Sequence, residues 1–222
     1  MKGRFLAIFL ALLAVALVTI QVAFAHQPFF EDRDFTAVSP HPIADADIST
    51  AVYATLDSRT DVDYYTFRAD AGQVVQLEMT IPQIEEQAEF APTMAVMGEG
   101  LASVSLPSQI KSSYASGQLI PPTPAEPFFE PFSGTSYWDR QEIRLTMPTT
   151  GEYTVAVWHE SGEVGRYVFV IGTQEIRGGD PDFRSKIDDY WTAVPEPVEA
   201  IAPAEESTDT HYSCPLARSK GN

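Results

Sequence analysis

Short segments with a two-residue repeat of side-chain polarity are the feature that most constrains the fold. Successive side chains of a strand point to opposite faces, so an alternating segment can bury one face and expose the other. Residues 74–81 show this pattern, with Val75, Leu77 and Met79 on one side. Glycine and proline separate such segments, as is typical of turns between strands. The pattern predicts strands over residues 51–56, 63–68, 74–81, 93–97, 142–147, 152–159 and 166–171.

This number of strands, with little helix, predicts an all-β chain that forms a single β-sandwich or jelly roll. Six prolines within residues 103–134 predict a long loop, which in a compact domain is either functional or poorly ordered. A short helix is predicted over residues 182–191. The chain therefore divides into a leader over 1–25, an extended N-terminal arm over 26–50, a β-sandwich domain over 51–176, a short-helix segment over 177–193 and a disordered Pro/Glu-rich tail over 194–222.

The leader has the layout of a secretion signal. Lys2 and Arg4 give a positive start, residues 5–20 are almost entirely apolar, and Ala23 and Ala25 form a small-x-small cleavage site. We expect cleavage after Ala25, with an uncleaved membrane anchor as the alternative, since the apolar run is long enough to span a bilayer. Either alternative predicts an exported protein that is periplasmic, secreted or on the cell surface.

The charge of the chain excludes some partners and favours others. Its formal net charge is −17, and so acidic a surface repels nucleic acid and anionic lipid heads. Membrane contact is expected only through an uncleaved leader. Metal cations are favoured by the same field, although solubility alone also explains it. The single cysteine, Cys214, excludes an internal disulfide.

Three segments of the chain resemble a known family. Residues 61–73 are similar to the D-x-D-Y-Y-x-F…A-G-Q signature of bacterial pre-peptidase C-terminal domains, and residues 151–157 and 165–170 are similar to that family's closing strand pair. The resemblance implies a small extracellular β-sandwich of a kind often appended to secreted enzymes, and it implies no activity. The long Pro-rich segment departs from the family, and we do not expect a protease domain from these 222 residues. The chain is also similar overall to exported bacterial proteins whose mature part begins with H-Q-P.

His26 is the basis of a copper hypothesis. After cleavage at Ala25 it becomes the N-terminal residue, and its amine and imidazole can chelate one Cu²⁺ in a histidine-brace-like site. His41 and His159 are the candidates for the second imidazole. The alternative is that His26 merely follows a cleavage site. His211 and Cys214 in the tail are a weaker copper pair, with an exposed thiol as the alternative.

Close carboxylates suggest a second metal, calcium, which prefers oxygen ligands. The candidate groups are Asp45 with Asp47, Asp57 with Asp61 and Asp63, and Asp180 with Asp182. None of these groups matches the twelve-residue calcium loop. The alternative is that they make hydrogen bonds within turns.

Aromatic residues suggest a ligand-binding surface. Tyr137, Trp138 and Trp158 could stack on a carbohydrate, and packing in the core is the alternative. Catalytic motifs are absent: there is no G-x-S-x-G, no phosphate-binding loop and no dinucleotide glycine pattern. The sequence therefore predicts a non-catalytic module with a binding role or a cell-surface or periplasmic structural role. Its ligand would be an extracellular protein, a carbohydrate or a metal ion, and the alternative function is copper binding through His26.

Overall fold

The structure is a computed structural model, and it describes residues 26–131 and 133–195. The predicted signal and its cleavage site therefore lie outside the described residues. Most of the tail, with His211 and Cys214, lies outside them as well. No helix in the described part of the chain has the length and apolarity that a membrane span needs.

Eleven strands, a short 3₁₀ helix and one α-helix make up the described regular structure. The strands are β1 (Gln27–Phe30), β2 (His41–Pro42), β3 (Thr50–Leu56), β4 (Val62–Ala69), β5 (Val74–Pro82), β6 (Thr93–Gly98), β7 (Gly117–Ile120), β8 (Glu126–Glu130), β9 (Thr135–Thr146), β10 (Gly151–Trp158) and β11 (Gly165–Ile171). The 3₁₀ helix is Glu85–Gln87, and the α-helix, α1, is Phe183–Tyr190.

These strands form two sheets, which confirms the predicted all-β sandwich. One sheet has six strands in the order β1-β3-β11-β5-β9-β8, and the other has five in the order β2-β4-β10-β6-β7. Neighbouring strands are antiparallel except for the pairs β1–β3 and β2–β4, which are parallel. All seven strands predicted from the alternating pattern are present, and β9 begins earlier than predicted, at Thr135.

The core lies between the sheets and is made by the predicted faces of the strands. In β5, Val75, Leu77, Met79 and Ile81 are all fully buried, while the three side chains between them are only partly buried. The facing sheet contributes the corresponding side chains of β4 and β10, such as Val155. Burial of one apolar face from each sheet is the main stabilising force of such a sandwich.

The prediction of an irregular segment over residues 103–134 was wrong in part, because this segment contains β7 and β8. Each lies at the free edge of its sheet. An edge strand bonds on one side only, so it tolerates residues such as Pro127 that a central strand excludes. The low strand propensity of this segment is the reason that the sequence did not predict β7 and β8.

The outer face of each sheet is also covered. Helix α1 packs its buried residues Phe183, Ile187 and Tyr190 on the six-stranded sheet, against side chains that include Tyr53 and Val168. The loop between β6 and β7 covers the five-stranded sheet with Ile110. These covers leave room for a cavity beside α1.

The predicted N-terminal arm joins the two sheets. It begins as β1 at one edge of the six-stranded sheet and continues to β2 at one edge of the five-stranded sheet. Between them it passes the start of β4, where the backbone N–H of Tyr64 donates to the carbonyl of Phe35 at 2.6 Å. The acidic residues of this crossing are thereby placed beside β4.

Candidate metal centre

Three carboxylates from different elements converge where the arm passes β4. Glu31 and Asp34 belong to the arm and Asp63 to β4, and one oxygen from each lies within 4.8 Å of the others. Among the described residues, this is the one group of three or more His, Cys, Asp or Glu side chains close enough to share a metal ion. We refer to these three residues as the acidic centre.

Backbone contacts hold each member of the acidic centre in place. Glu31 follows β1, and its Oε2 accepts a hydrogen bond from the backbone N–H of Thr55 at 2.8 Å. Asp34 is exposed and precedes Phe35, which is bonded to β4. Asp63 lies within β4 opposite Val157 of β10 and has no exposed surface. The centre is thus buried on the side of β4 and open on the side of the arm.

The hydrogen bonds of Asp63 leave one of its oxygens without a partner. Its Oδ2 accepts a bond from the hydroxyl of Tyr167 at 2.6 Å. Tyr167 gives its only proton to Asp63, so the hydroxyl of Tyr65, 2.6 Å away, donates to Tyr167. The Oδ1 of Asp63 has no hydrogen-bond partner among the described residues. A buried carboxylate oxygen without a donor is costly, so it needs a proton or a cation.

The carboxyl groups at and beside the acidic centre have raised pKa values, so their ionised forms are disfavoured. Burial, followed by the charge of Glu31, raises the pKa of Asp63 to about 9, while the hydrogen bond from Tyr167 opposes the shift. Burial raises the pKa of Glu31 to about 7, although its bond from Thr55 opposes this. The neighbouring Asp61 has its pKa raised to about 6, again mainly by burial. Close, buried carboxylates cannot all ionise at neutral pH unless a cation compensates them.

The chemistry of these donors suits a hard divalent cation. Three carboxylates offer up to six oxygens, and calcium takes six to eight oxygen ligands, often including water and backbone carbonyls. Neither a thiolate nor an imidazole is among them, so a soft metal is disfavoured. The residues present therefore fit calcium better than copper.

The carboxylate groups predicted from the sequence differ in their contacts in the structure. Of the set Asp57, Asp61 and Asp63, only Asp63 joins the acidic centre, and Asp61 Oδ2 instead accepts a turn hydrogen bond from the backbone of Asp57 at 2.8 Å. Glu31 and Asp34 were missed. The acidic run in the arm was the available signal, but nothing in the sequence indicates that it passes β4.

The other two predicted carboxylate groups have partners within the chain. Asp45 Oδ1 accepts from the backbone N–H of Asp47 at 2.9 Å, and Asp47 accepts from Gln73. Asp180 pairs with Lys186 and also accepts from the backbone N–H of Asp182. The carboxylates of Asp45, Asp47 and Asp180 thus each have a hydrogen-bond donor within the chain.

The three predicted copper ligands lie in different surroundings. His26 Nδ1 lies 2.5 Å from the hydroxyl of Ser49. The ring of His41 packs against Phe35, with centroids 4.7 Å apart. His159 stacks on Phe90 at 5.3 Å. The structure does not bring the three together into a ligand group among the described residues. Burial lowers the pKa of each imidazole.

The three predicted ligand-binding aromatics also differ in their surroundings. Tyr137 is buried at 3% exposure, and its hydroxyl lies 3.1 Å from that of Tyr53. Trp138 is partly buried against the core. Trp158 is 1% exposed, and its indole N–H donates to Glu160 at 3.1 Å. The ring of Trp158 therefore contacts protein on the outer face of the five-stranded sheet, while Tyr137 borders a cavity.

Comparison with known proteins gives structural similarities alone. No family model and no curated protein matches the chain. Among solved structures, the chain is similar to PliG of Aeromonas hydrophila, a periplasmic inhibitor of g-type lysozyme, at 15% identity and a TM-score of 0.36 over 68% of this chain and 100% of that one. It is also similar to the pre-peptidase C-terminal domain of Bacillus anthracis collagenase, at 13% identity and a TM-score of 0.34 over 64% and 99%.

A third similar structure is CorA of Methylomicrobium album BG8, a surface-associated copper-binding protein, at 10% identity and a TM-score of 0.31 over 68% of this chain and 99% of that one. The second of the three belongs to the family that the D-x-D-Y-Y motif resembles. All three TM-scores lie below 0.5.

Proposed function

We propose that this chain is an exported, non-catalytic binding module whose acidic centre holds a divalent cation of the calcium class. The observation that carries the proposal is the buried carboxylate of Asp63, whose Oδ1 has no hydrogen-bond partner among the described residues and which has an oxygen within 4.8 Å of oxygens of Glu31 and Asp34. A hard cation supplies the missing positive charge. Binding of the cation displaces the protons that Asp63 and Glu31 retain near neutral pH because their pKa values are raised.

The bound cation would fasten the N-terminal arm to the sandwich. Glu31 and Asp34 belong to the arm and Asp63 to β4, so a shared ion crosslinks two elements that are otherwise joined by β-pairing and a few hydrogen bonds. Calcium sites of extracellular modules bind with dissociation constants of about 0.1–1 mM. The metal site of an exported module would therefore be occupied by calcium outside the cell, where the module meets the partner that it binds.

Calcium titration of the chelator-treated protein by calorimetry and by thermal unfolding tests the proposal. We expect one bound ion and a rise in Tm, because a ligand that binds only the folded state stabilises it. Asp63→Asn preserves the side-chain shape and removes the central ligand, so it should abolish both signals. Asp70→Asn is the matched control, because Asp70 is an exposed carboxylate at a turn remote from the acidic centre.

Failure of the native protein to bind calcium, magnesium or manganese would overturn the proposal, whatever the variants do. Equal loss of binding in Asp63→Asn and Asp70→Asn would also overturn it, since the effect would then come from net charge. A stoichiometry of one ion that is lost only in Asp63→Asn would support it.

We infer a second candidate, copper binding, from the position of His26. Burial keeps its imidazole neutral, which is the form that binds copper, and the carboxylates of Glu78 and Glu130 are near enough to act on its charge. Native mass spectrometry of the protein exported by its own leader, with and without one equivalent of Cu²⁺, tests this candidate. A mass beginning at His26 that takes up one copper, and a His26→Ala variant that does not, would support it. A retained leader, or a mature protein that ignores copper, would end it.

A further inference from the structure

A second polar feature, separate from the acidic centre, is a cavity of about 150 Å³ on the outer face of the six-stranded sheet. Its lining comes from five adjacent strands, β3, β11, β5, β9 and β8, and from the residue before β1. Small apolar side chains, aromatic rings and carboxylates all contribute to its lining. The lining residues are His26, Ala51, Tyr53, Glu78, Thr80, Phe128, Glu130, Tyr137, Asp139, Val168 and Val170.

The cavity exists because helix α1 covers only part of this face. Tyr53 and Tyr137, whose hydroxyls lie 3.1 Å apart, border both the cavity and the layer beneath α1. Trp191, directly after the helix, contacts the ring of Tyr137 with centroids 5.1 Å apart. On the other side, Phe128 of the edge strand β8 is 41% exposed. The cavity is thus open toward the sheet edge.

Two carboxylates of the cavity, those of Asp139 and Glu78, form no ion pair among the described residues. The Oδ1 of Asp139 is buried and has no hydrogen-bond partner among the described residues. Glu78 accepts a bond from the neutral amide of Gln76, and Glu130 accepts one from the backbone N–H of Ser133 at 2.5 Å. The ion pairs His159–Glu163 and Lys186–Asp180 lie outside the cavity lining.

We propose that this cavity binds an organic cation, an ammonium or guanidinium group carried on a short apolar stem. The carboxylates of Asp139 and Glu78 supply charge-assisted hydrogen bonds, which are about twice as strong as neutral ones. The aromatic residues Tyr137 and Phe128 also line the cavity, and aromatic rings attract cations. The apolar side chains of Val168 and Val170 in the lining suit the methylene stem of such a cation.

Size and geometry favour an organic cation over a metal ion. A volume of 150 Å³ is that of about five liquid waters, which fits one long side chain or a small amine. The carboxylates and His26 do not form a group of three ligand atoms within 4.8 Å, so a single metal ion would not reach them together. A cation with several N–H donors reaches carboxylate acceptors that are spread over the lining.

Two sources share this chemistry: a free polyamine, and a lysine or arginine side chain of a basic partner protein. Nuclear magnetic resonance titration tests first whether the cavity binds an organic cation, and then which of the two sources it prefers. The probes are n-butylammonium and n-butylguanidinium for the chemistry, with uncharged n-butanol as the isosteric control. Spermidine and a capped tripeptide with a central lysine then compare the two sources. A chelator in the buffer keeps the acidic centre free of metal, so the outcome is independent of the proposed calcium function.

We expect saturable shifts of the Val168 and Val170 methyl signals and of the His26 ring with the two cations. Asp139→Asn and Glu78→Gln should each weaken binding about tenfold or more, as loss of a charged hydrogen bond does. Glu152→Gln, which removes an exposed charge from the other sheet, should leave it within about twofold, because remote exposed charges are screened.

Equal shifts with n-butanol, or equal weakening in Glu152→Gln, would overturn the proposal, because the cavity would then be merely apolar or the attraction non-specific. Absence of saturable binding by either cation would overturn it too. The two cavity variants are isosteric, and their unfolding temperatures identify any variant that fails to fold. Preference for spermidine would assign the site to a free amine, and preference for the tripeptide would assign it to a partner side chain.

Discussion

Two acidic regions of this molecule, the acidic centre and the Asp180–Lys186 pair beside helix α1, have opposite electrostatics. At the surface, a hydrogen bond from Lys186 lowers the pKa of Asp180. In the centre, burial and neighbouring carboxylates raise the pKa of Asp63. Carboxylates that are close in sequence are thus common and often satisfied. A carboxylate that is buried without a cation identifies a candidate site.

The largest expected difference between the two regions is in their response to calcium. Asp63→Asn should abolish the rise in Tm that calcium produces, because it removes the buried ligand. Asp180→Asn should leave that rise unchanged. Differential scanning fluorimetry over a calcium series measures both. An equal loss in the two variants would remove the distinction drawn between the regions.

The next effect is on the pH dependence of stability without metal. Asp63 and Glu31 have pKa values of about 9 and 7 in the fold, against ordinary values of 3.8 and 4.5. The folded state therefore binds more protons than the unfolded state between about pH 4 and pH 9, and stability falls as pH rises through that range. We expect the chelator-treated protein to lose about 5 °C or more in Tm between pH 5 and pH 9. Asp63→Asn should flatten the profile, and an unchanged profile would contradict the assignment.

A smaller effect is expected from the tyrosine that supports the centre. Tyr167→Phe removes the hydroxyl that donates to Asp63 Oδ2 and leaves that oxygen without a donor. Loss of a bond to a buried charged group costs about 1–3 kcal/mol in unfolding free energy. Urea denaturation at pH 9, where Asp63 is partly ionised, should show a larger loss than at pH 5. The opposite order would mean that the hydroxyl serves packing alone.

The smallest effect is expected at the surface. Lys186→Met removes the partner of Asp180, but this lysine is exposed to solvent and exposed ion pairs contribute little. Urea midpoints of the variant and the native protein should agree within error, and calcium binding should be unaffected. A calcium response that changed would show that the pair and the centre are coupled.

Alternation of polarity along the chain was sufficient to predict the central strands, because burying one face of a strand imposes a two-residue repeat. It was not sufficient for β7 and β8, because edge strands carry weaker local signals. The candidate site was predicted to a lesser extent. Asp63 was among the predicted carboxylates, while Glu31 and Asp34 were not, and the three predicted histidines do not meet among the described residues.

The sequence by itself determined the sandwich class, the acidic character and the buried faces of the strands, since each follows from composition or from neighbours along the chain. Only the tertiary structure decided that the arm crosses from one sheet to the other and brings Glu31 and Asp34 to Asp63. It alone decided that Asp139 faces a cavity beside α1 and that Trp158 is enclosed. Such sites join residues that are distant in sequence, and their charge states depend on burial, which a local pattern does not encode.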